Sequence, residues 1–194
     1  GRCISADGDI YISGGNYLFE TTGDGSEYIN AEDSIDYYTA RCLGSDQNIL
    51  IIKGTISCIS RGLGGKGMVS DHGMFLGEYE GANDSLTITV ITEGGSVLND
   101  VDEDKRNGCP KALKSGKEFE VLSGNIYVKT YDMGGEGFEC KDNMLIKGGN
   151  IILETYDDGI NVERLLNILN GNLYCCSENN DGIDSNGSIV IYGG

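Results

Sequence analysis

The chain has 194 residues, 39% of them hydrophobic, which is enough apolar side chain for one core in one domain. Its 31 acidic residues against 14 basic ones give a formal net charge of −17, which excludes unaided attraction to nucleic acid or to an anionic membrane. Thirty-one glycines against one proline exclude the composition of a disordered segment, and no apolar run approaches the ~18 residues of a membrane span.

From the amino end, the first pattern is Ile4, then Ile10 six residues on, then Ile12, followed by the turn Gly14-Gly15-Asn16 and the alternating pair Tyr17 and Phe19. The same spacing returns at Leu43, Ile49 and Ile51, with Ile56 and Cys58 in the second strand. It returns again at Leu113, Phe119, Val121; at Phe138, Met144, Ile146; at Ile160, Leu166, Ile168; and at Ile183, Ile189, Ile191. Alternate residues of a strand face one side, so columns of this kind are what stacked parallel strands around a shared interior require. Gly124, Gly149, Gly171 and Gly194 are separated by 25, 22 and 23 residues, one turn of a solenoid. The reading is all-β: a right-handed parallel β-helix of three faces, filling residues 1–194 as a single domain. The ending Ile191-Tyr192-Gly193-Gly194 is a repeat cut off midway, so the domain is read as a fragment of a longer secreted or surface protein.

Between Gly62 and Cys109 the register breaks, and two rungs with long loop insertions are expected there. The only histidine, His72, falls in this stretch. Asp100, Asp102 and Asp104 open like a calcium loop, but Lys105 and Lys111 stand where that loop needs Gly and a bidentate Glu. The seven cysteines show no metal-type spacing; Cys58 and Cys175 are expected in the core and Cys176 outside.

Toward the carboxyl end, Glu136-Gly137-Phe138-Glu139, Asp158-Gly159-Ile160-Asn161 and Asp181-Gly182-Ile183-Asp184 superpose in successive rungs, with Asp157 just ahead of the second. At a rung spacing of ~4.8 Å, uncompensated carboxylates in such columns repel, so either some of their pKa values rise or a cation sits between them. Calcium (Ca²⁺) suits the oxygen-only set Glu136, Glu139, Asp157, Asp158, Asn161, Asp181 and Asp184. The corner glycines are expected to take positive φ, and Asn16, Asn125, Asn150 and Asn172 to occupy left-handed turns or an internal amide ladder. Tyr127 and Tyr174 share an outward column with Ile152, while Tyr131 and Tyr156 follow the aligned Thr130 and Thr155; flat outward rings of this kind stack on sugars. Lys141 and Arg164, beside the acidic corners, are the candidate bases for a proton abstraction next to a bound metal.

In Tyr156-Asp157-Asp158-Gly159-Ile160-Asn161 and in Asp181-Gly182-Ile183-Asp184-Ser185-Asn186-Gly187 running into Ile189-Val190-Ile191-Tyr192-Gly193-Gly194, the chain resembles the bacterial carbohydrate-binding β-helix family first described in a cellulolytic clostridium. That family's fold is similar to the fold of pectate lyases. The resemblance covers residues 110 to 194 well and 1 to 60 recognisably. It implies an extracellular or cell-surface domain that binds cellulose-like or polygalacturonate-like polysaccharide, with calcium in acidic corners. Asp158, Asn161, Asp181 and Asp184 match the pattern; Glu136 replaces its usual Asp, and Lys66 stands at the equivalent point earlier. The expected function is non-catalytic polysaccharide binding, with a calcium-dependent polysaccharide lyase and a structural adhesin module as the alternatives.

Overall fold

The structure is a computed structural model that describes residues 1–78, 85–98 and 106–194. Among these residues there is no helix; three long parallel sheets of seven, seven and six strands stack into a right-handed β-helix. Each turn of the solenoid lays one short strand on each face. The first rung is Arg2–Ala6, Ile10–Ile12 and Asn16–Thr21, and the second Arg41–Ser45, Ile49–Ile51 and Gly54–Ser60. The third is Lys66–Ser70, Met74–Leu76 and Leu86–Thr92, and the fourth Lys111–Ser115, Phe119–Val121 and Asn125–Thr130. Glu136–Cys140, Met144–Ile146 and Asn150–Thr155 form the fifth, and Ile160–Val162, Leu165–Ile168 and Asn172–Ser177 the sixth. Ile183–Ser185 and Ser188–Ile191 begin a seventh.

The apolar columns stand in register as the spacing predicts. Leu43, Met68, Leu113, Phe138, Ile160 and Ile183 pair rung to rung on the first face, and Ile49, Met74, Phe119, Met144, Leu166 and Ile189 on the second. Phe119 and Phe138 meet across the interior with ring centroids 5.0 Å apart. Burying a column of this kind contributes roughly 1.5–3 kcal/mol per large side chain, and stacking gives every rung the same environment. Ile56, Cys58, Ile126, Val128, Ile151 and Leu153 are buried; Leu173 and Cys175, in the last strand of the third face, are half-buried, and Tyr17 is exposed at the other end.

Four expectations change. One rung, not two, occupies the irregular region, because the strands of the third rung pair directly with those of the second and fourth. The amino-terminal end is not regular either: Ser26–Ile29 and Ile35–Tyr38 form an antiparallel hairpin between the first and second rungs. The corner glycines Gly137, Gly159 and Gly182 do not take positive φ, whereas Gly124, Gly149 and Gly171, at the other turn, do. What requires glycine at 137 and 159 is space: a Cβ on Gly159 would lie 2.5 Å from the Gly182 carbonyl oxygen and collide with Cys175 Sγ. The asparagines after the turns are neither left-handed nor internal; Asn125, Asn150 and Asn172 pair in register as the opening residues of third-face strands, half-buried or exposed.

Candidate functional site

Two residues before each interior position of the first face stands one member of a single outward column: Arg2, Arg41, Lys66, Lys111, Glu136, Asp158, Asp181. One residue after each interior position stands a second column, in which Lys114, Glu139, Asn161 and Asp184 follow one another. The acids of the carboxyl-terminal rungs therefore continue a stack of bases from the amino-terminal ones. The inserted segment before the fourth rung reaches this side of the solenoid, with Arg106 Nη1 lying 3.8 Å from Asp157 Oδ2. The side chains of Lys111, Glu136 and Glu139 are buried although they point away from the apolar core.

The first two acids are compensated by lysines in the place that the sequence gives to a metal. Lys111 Nζ contacts Glu136 Oε1, while Glu139 receives Lys114 Nζ at 2.8 Å and Lys141 Nζ at 2.6 Å. Burial opposes charge at both carboxyls. It pushes Glu136 up to about 7 in spite of Lys111, whereas Lys111, Lys114 and Lys141 together hold Glu139 at about 2. Burial works against the Lys111 ammonium too, but Glu136 and Glu139 raise it above the ordinary lysine value. Glu136 and Glu139 thus do not fit as calcium ligands in this arrangement, and Asp157 faces an arginine. Lys66 is the odd member of the column. Its Nζ donates to Thr39 Oγ1 at 2.7 Å, and burial followed by Lys114, Arg41 and Lys111 pushes it down to about 7.

The last acids differ. Asp158 Oδ1 accepts the Asp181 N–H at 3.1 Å and Oδ2 accepts Asn161 Nδ2 at 3.1 Å, with no base among these partners. Burial, with Asp157 and Asp184 adding to it, pushes the Asp158 carboxyl up to about 6. This is the electrostatic state of an acidic corner short of positive charge. Among the described residues no group of three or more His, Cys, Asp or Glu side chains is closed around a metal position. Asp100, Asp102, Asp104 and Lys105 lie outside the described residues.

Of the two candidate bases, Lys141 is paired with Glu139, and Arg164 lies on the opposite corner, its Nε 3.5 Å from Asp142 Oδ1. The structure therefore separates Arg164 from the Asp158 corner and engages Lys141 as a counterion.

The tyrosines lie on the outer surface of the third face. Tyr127, Ile152 and Tyr174 align in one column, and Lys129, Glu154 and Cys176 in the next. Tyr127 donates its hydroxyl to Glu154 Oε2 at 2.8 Å, Lys129 Nζ reaches the same oxygen at 3.1 Å, and that ammonium lies 5.1 Å from the Tyr131 ring centroid. The chain Tyr127–Glu154–Lys129–Tyr131 fixes ring orientation across two rungs, a form of preorganisation. Tyr174 and Tyr131 are 56% and 55% exposed, and Tyr156 is half-buried. The sequence reading missed the Lys129–Glu154 link, although the two stand in register in adjacent third-face strands.

A family model described as carbohydrate-binding domain-containing protein matches residues 1–176. No curated protein and no solved structure matches the chain.

Proposed function

Because the chain belongs to the carbohydrate-binding domain-containing family, we propose that it binds polysaccharide, without catalysing a reaction on it, on the outer surface of the third face at the fourth to sixth rungs. The observation that carries this reading is the tyrosine platform: the exposed rings of Tyr131 and Tyr174 on the outside of a parallel sheet, beside the Tyr127–Glu154–Lys129 hydrogen-bond chain whose ammonium lies under the Tyr131 ring. Aromatic faces take the apolar face of a sugar ring, while the hydroxyls and the Lys129–Glu154 pair are placed to bond its rim. The rungs repeat at ~4.8 Å, so successive sugar units of an extended chain meet equivalent rows of side chains. The domain would act outside the cell.

Tyr174→Ala and Tyr131→Ala are each expected to weaken retention on insoluble cellulose or on immobilised polygalacturonate about three- to tenfold, and the double variant more, without changing the melting temperature. Depletion assays and affinity electrophoresis read this directly. Wild-type retention by the double variant would sink the platform.

Calcium belongs to the same proposal, restricted to Asp158, Asn161, Asp181 and Asp184. A cation there would supply the positive charge that the lysines supply to Glu136 and Glu139. The Asp158 carboxyl is raised from 3.8 to about 6 in the fold, so the folded state holds the proton more tightly than the unfolded chain. Stability in chelator should therefore fall by on the order of 1–2 kcal/mol as the pH rises from about 4 to about 6. Millimolar calcium should abolish that fall by stabilising the ionised corner. Thermal melts across this range, with chelator and with calcium, test it; superimposable curves would remove calcium from the account.

A further inference from the structure

On the corner between the first and second faces, opposite the acidic column, the turns form two further ladders. In one, Gln47, His72, Lys117 and Asp142 follow one another from rung to rung, the His72 N–H donating to the Gln47 carbonyl at 3.1 Å and the Lys117 N–H to the His72 carbonyl at 2.8 Å. In the other, Asp9, Asn48, Gly73, Glu118 and Asn143 succeed one another. Asn48 uses its backbone N–H and its Nδ2 on Asp9 Oδ1, at 3.0 and 2.9 Å, and its Oδ1 accepts the Gly73 N–H at 2.9 Å. Gly73 alone in this ladder has no side chain, and none fits, since a Cβ would stand 2.5 Å from the Phe75 ring. Beside Gly73, between Asn48 and Glu118, lies a notch of about 280 Å³, lined also by Gln47, His72, Lys117 and Asp142. His72 Nδ1, on the same side chain, is shielded from solvent and has no hydrogen-bond partner among the described residues. An orphaned polar atom of this kind costs about 1–3 kcal/mol unless something satisfies it.

We propose that this notch binds a single uncharged sugar ring, as a site separate from the tyrosine platform; the proposal rests on the carbohydrate-binding reading for its choice of ligand. The lining alternates donors with acceptors. The Gln47 and Asn48 amides and the Lys117 ammonium stand against the Glu118 and Asp142 carboxylates, the latter already faced by Arg164. Neither sign of charge is in clear excess, which disfavours an ion and suits adjacent hydroxyls, each of which donates and accepts. The volume lies just below the range of about 300–1,000 Å³ for small-molecule pockets, room for one ring rather than a chain.

His72 is the only histidine, so its imidazole gives a single set of ring signals in nitrogen-15 NMR spectra of the intact protein. Titration with glucose, galactose, xylose and cellobiose at millimolar concentration should move those signals saturably for at least one sugar. Glu118→Gln, on the surface of the notch, should keep the wild-type melting temperature and weaken that response at least tenfold. No saturable shift with any of the four, or a response unchanged in both Glu118→Gln and Asp142→Asn, would overturn the proposal. The two sites fail separately. If polymer retention falls in Tyr174→Ala while no sugar moves His72, the platform stands and the notch does not; if sugars move His72 while the platform variants retain polymer fully, the reverse holds.

Discussion

Lys111→Met should cost about 3–5 kcal/mol at pH 8, as removal of one partner from a buried ion pair does. The new side chain fills much of the old volume, so what is lost is the countercharge of Glu136, whose carboxyl is buried with its Oε2 already without a hydrogen-bond partner among the described residues. Glu139 keeps Lys114 and Lys141, so the damage should stay at one carboxyl. Glu136 is raised to about 7 even with Lys111 present. Without the lysine it should take up a proton more readily, and the deficit at pH 5 should be clearly smaller than at pH 8. Urea unfolding at the two pH values measures both numbers. Adding Glu136→Gln should recover part of the loss at pH 8, because a neutral amide needs no countercharge. A single variant as stable as the wild type at pH 8 would mean that the pair is solvated and contributes little.

Gly159→Ala is expected to be damaging although it adds only one methyl group. The added carbon meets the backbone carbonyl of Gly182 at 2.5 Å and the sulfur of Cys175, which itself donates to that carbonyl at 2.7 Å. The sulfur can rotate; the carbonyl belongs to the next rung and moves only if the rungs part. Overpacking of this kind costs roughly 1–3 kcal/mol, occasionally more. A solenoid is held by nearest-neighbour contacts, so the loss should be local. Hydrogen exchange should show residues 160–194 losing protection by one to two orders of magnitude while the second to fourth rungs keep theirs. Uniform loss across the chain would show that the whole β-helix unfolds as one unit, and no loss would show that the corner can absorb the methyl.

Both variants lie in columns that are legible in the sequence once the interior positions are known. Counting two residues back from Leu113 and Phe138 gives Lys111 and Glu136, and the bases of the earlier rungs follow by the same count. Reading only the acidic corners hides the pairing, because the compensating lysine is 25 residues away in sequence and one rung away in space. The third rung was legible too: Met68, Met74 and Leu76 repeat the spacing of six and two, although long connections flank them. The hairpin at 26–38 was not, since its strands are largely exposed and carry no interior column. Space rather than φ at the corner glycines also escapes a one-dimensional reading, because the obstacle is a carbonyl of the neighbouring turn. The notch beside Gly73 is walled by two ladders, and a ladder exists only after the rungs are stacked.

The charged column gives the solenoid an electrical polarity that its net charge conceals. Arg2, Arg41, Lys66 and Lys111 occupy one end and Glu136, Asp158 and Asp181 the other, over six intervals of ~4.8 Å. That span is more than three screening lengths of about 8 Å at physiological salt, so each end sets its own local potential. From afar the molecule is a polyanion with a charge of −17; at close range its amino-terminal corner presents positive charge. Any acidic polymer drifting past would be repelled by most of the surface and held least unfavourably at that corner, so its encounters would be biased in orientation.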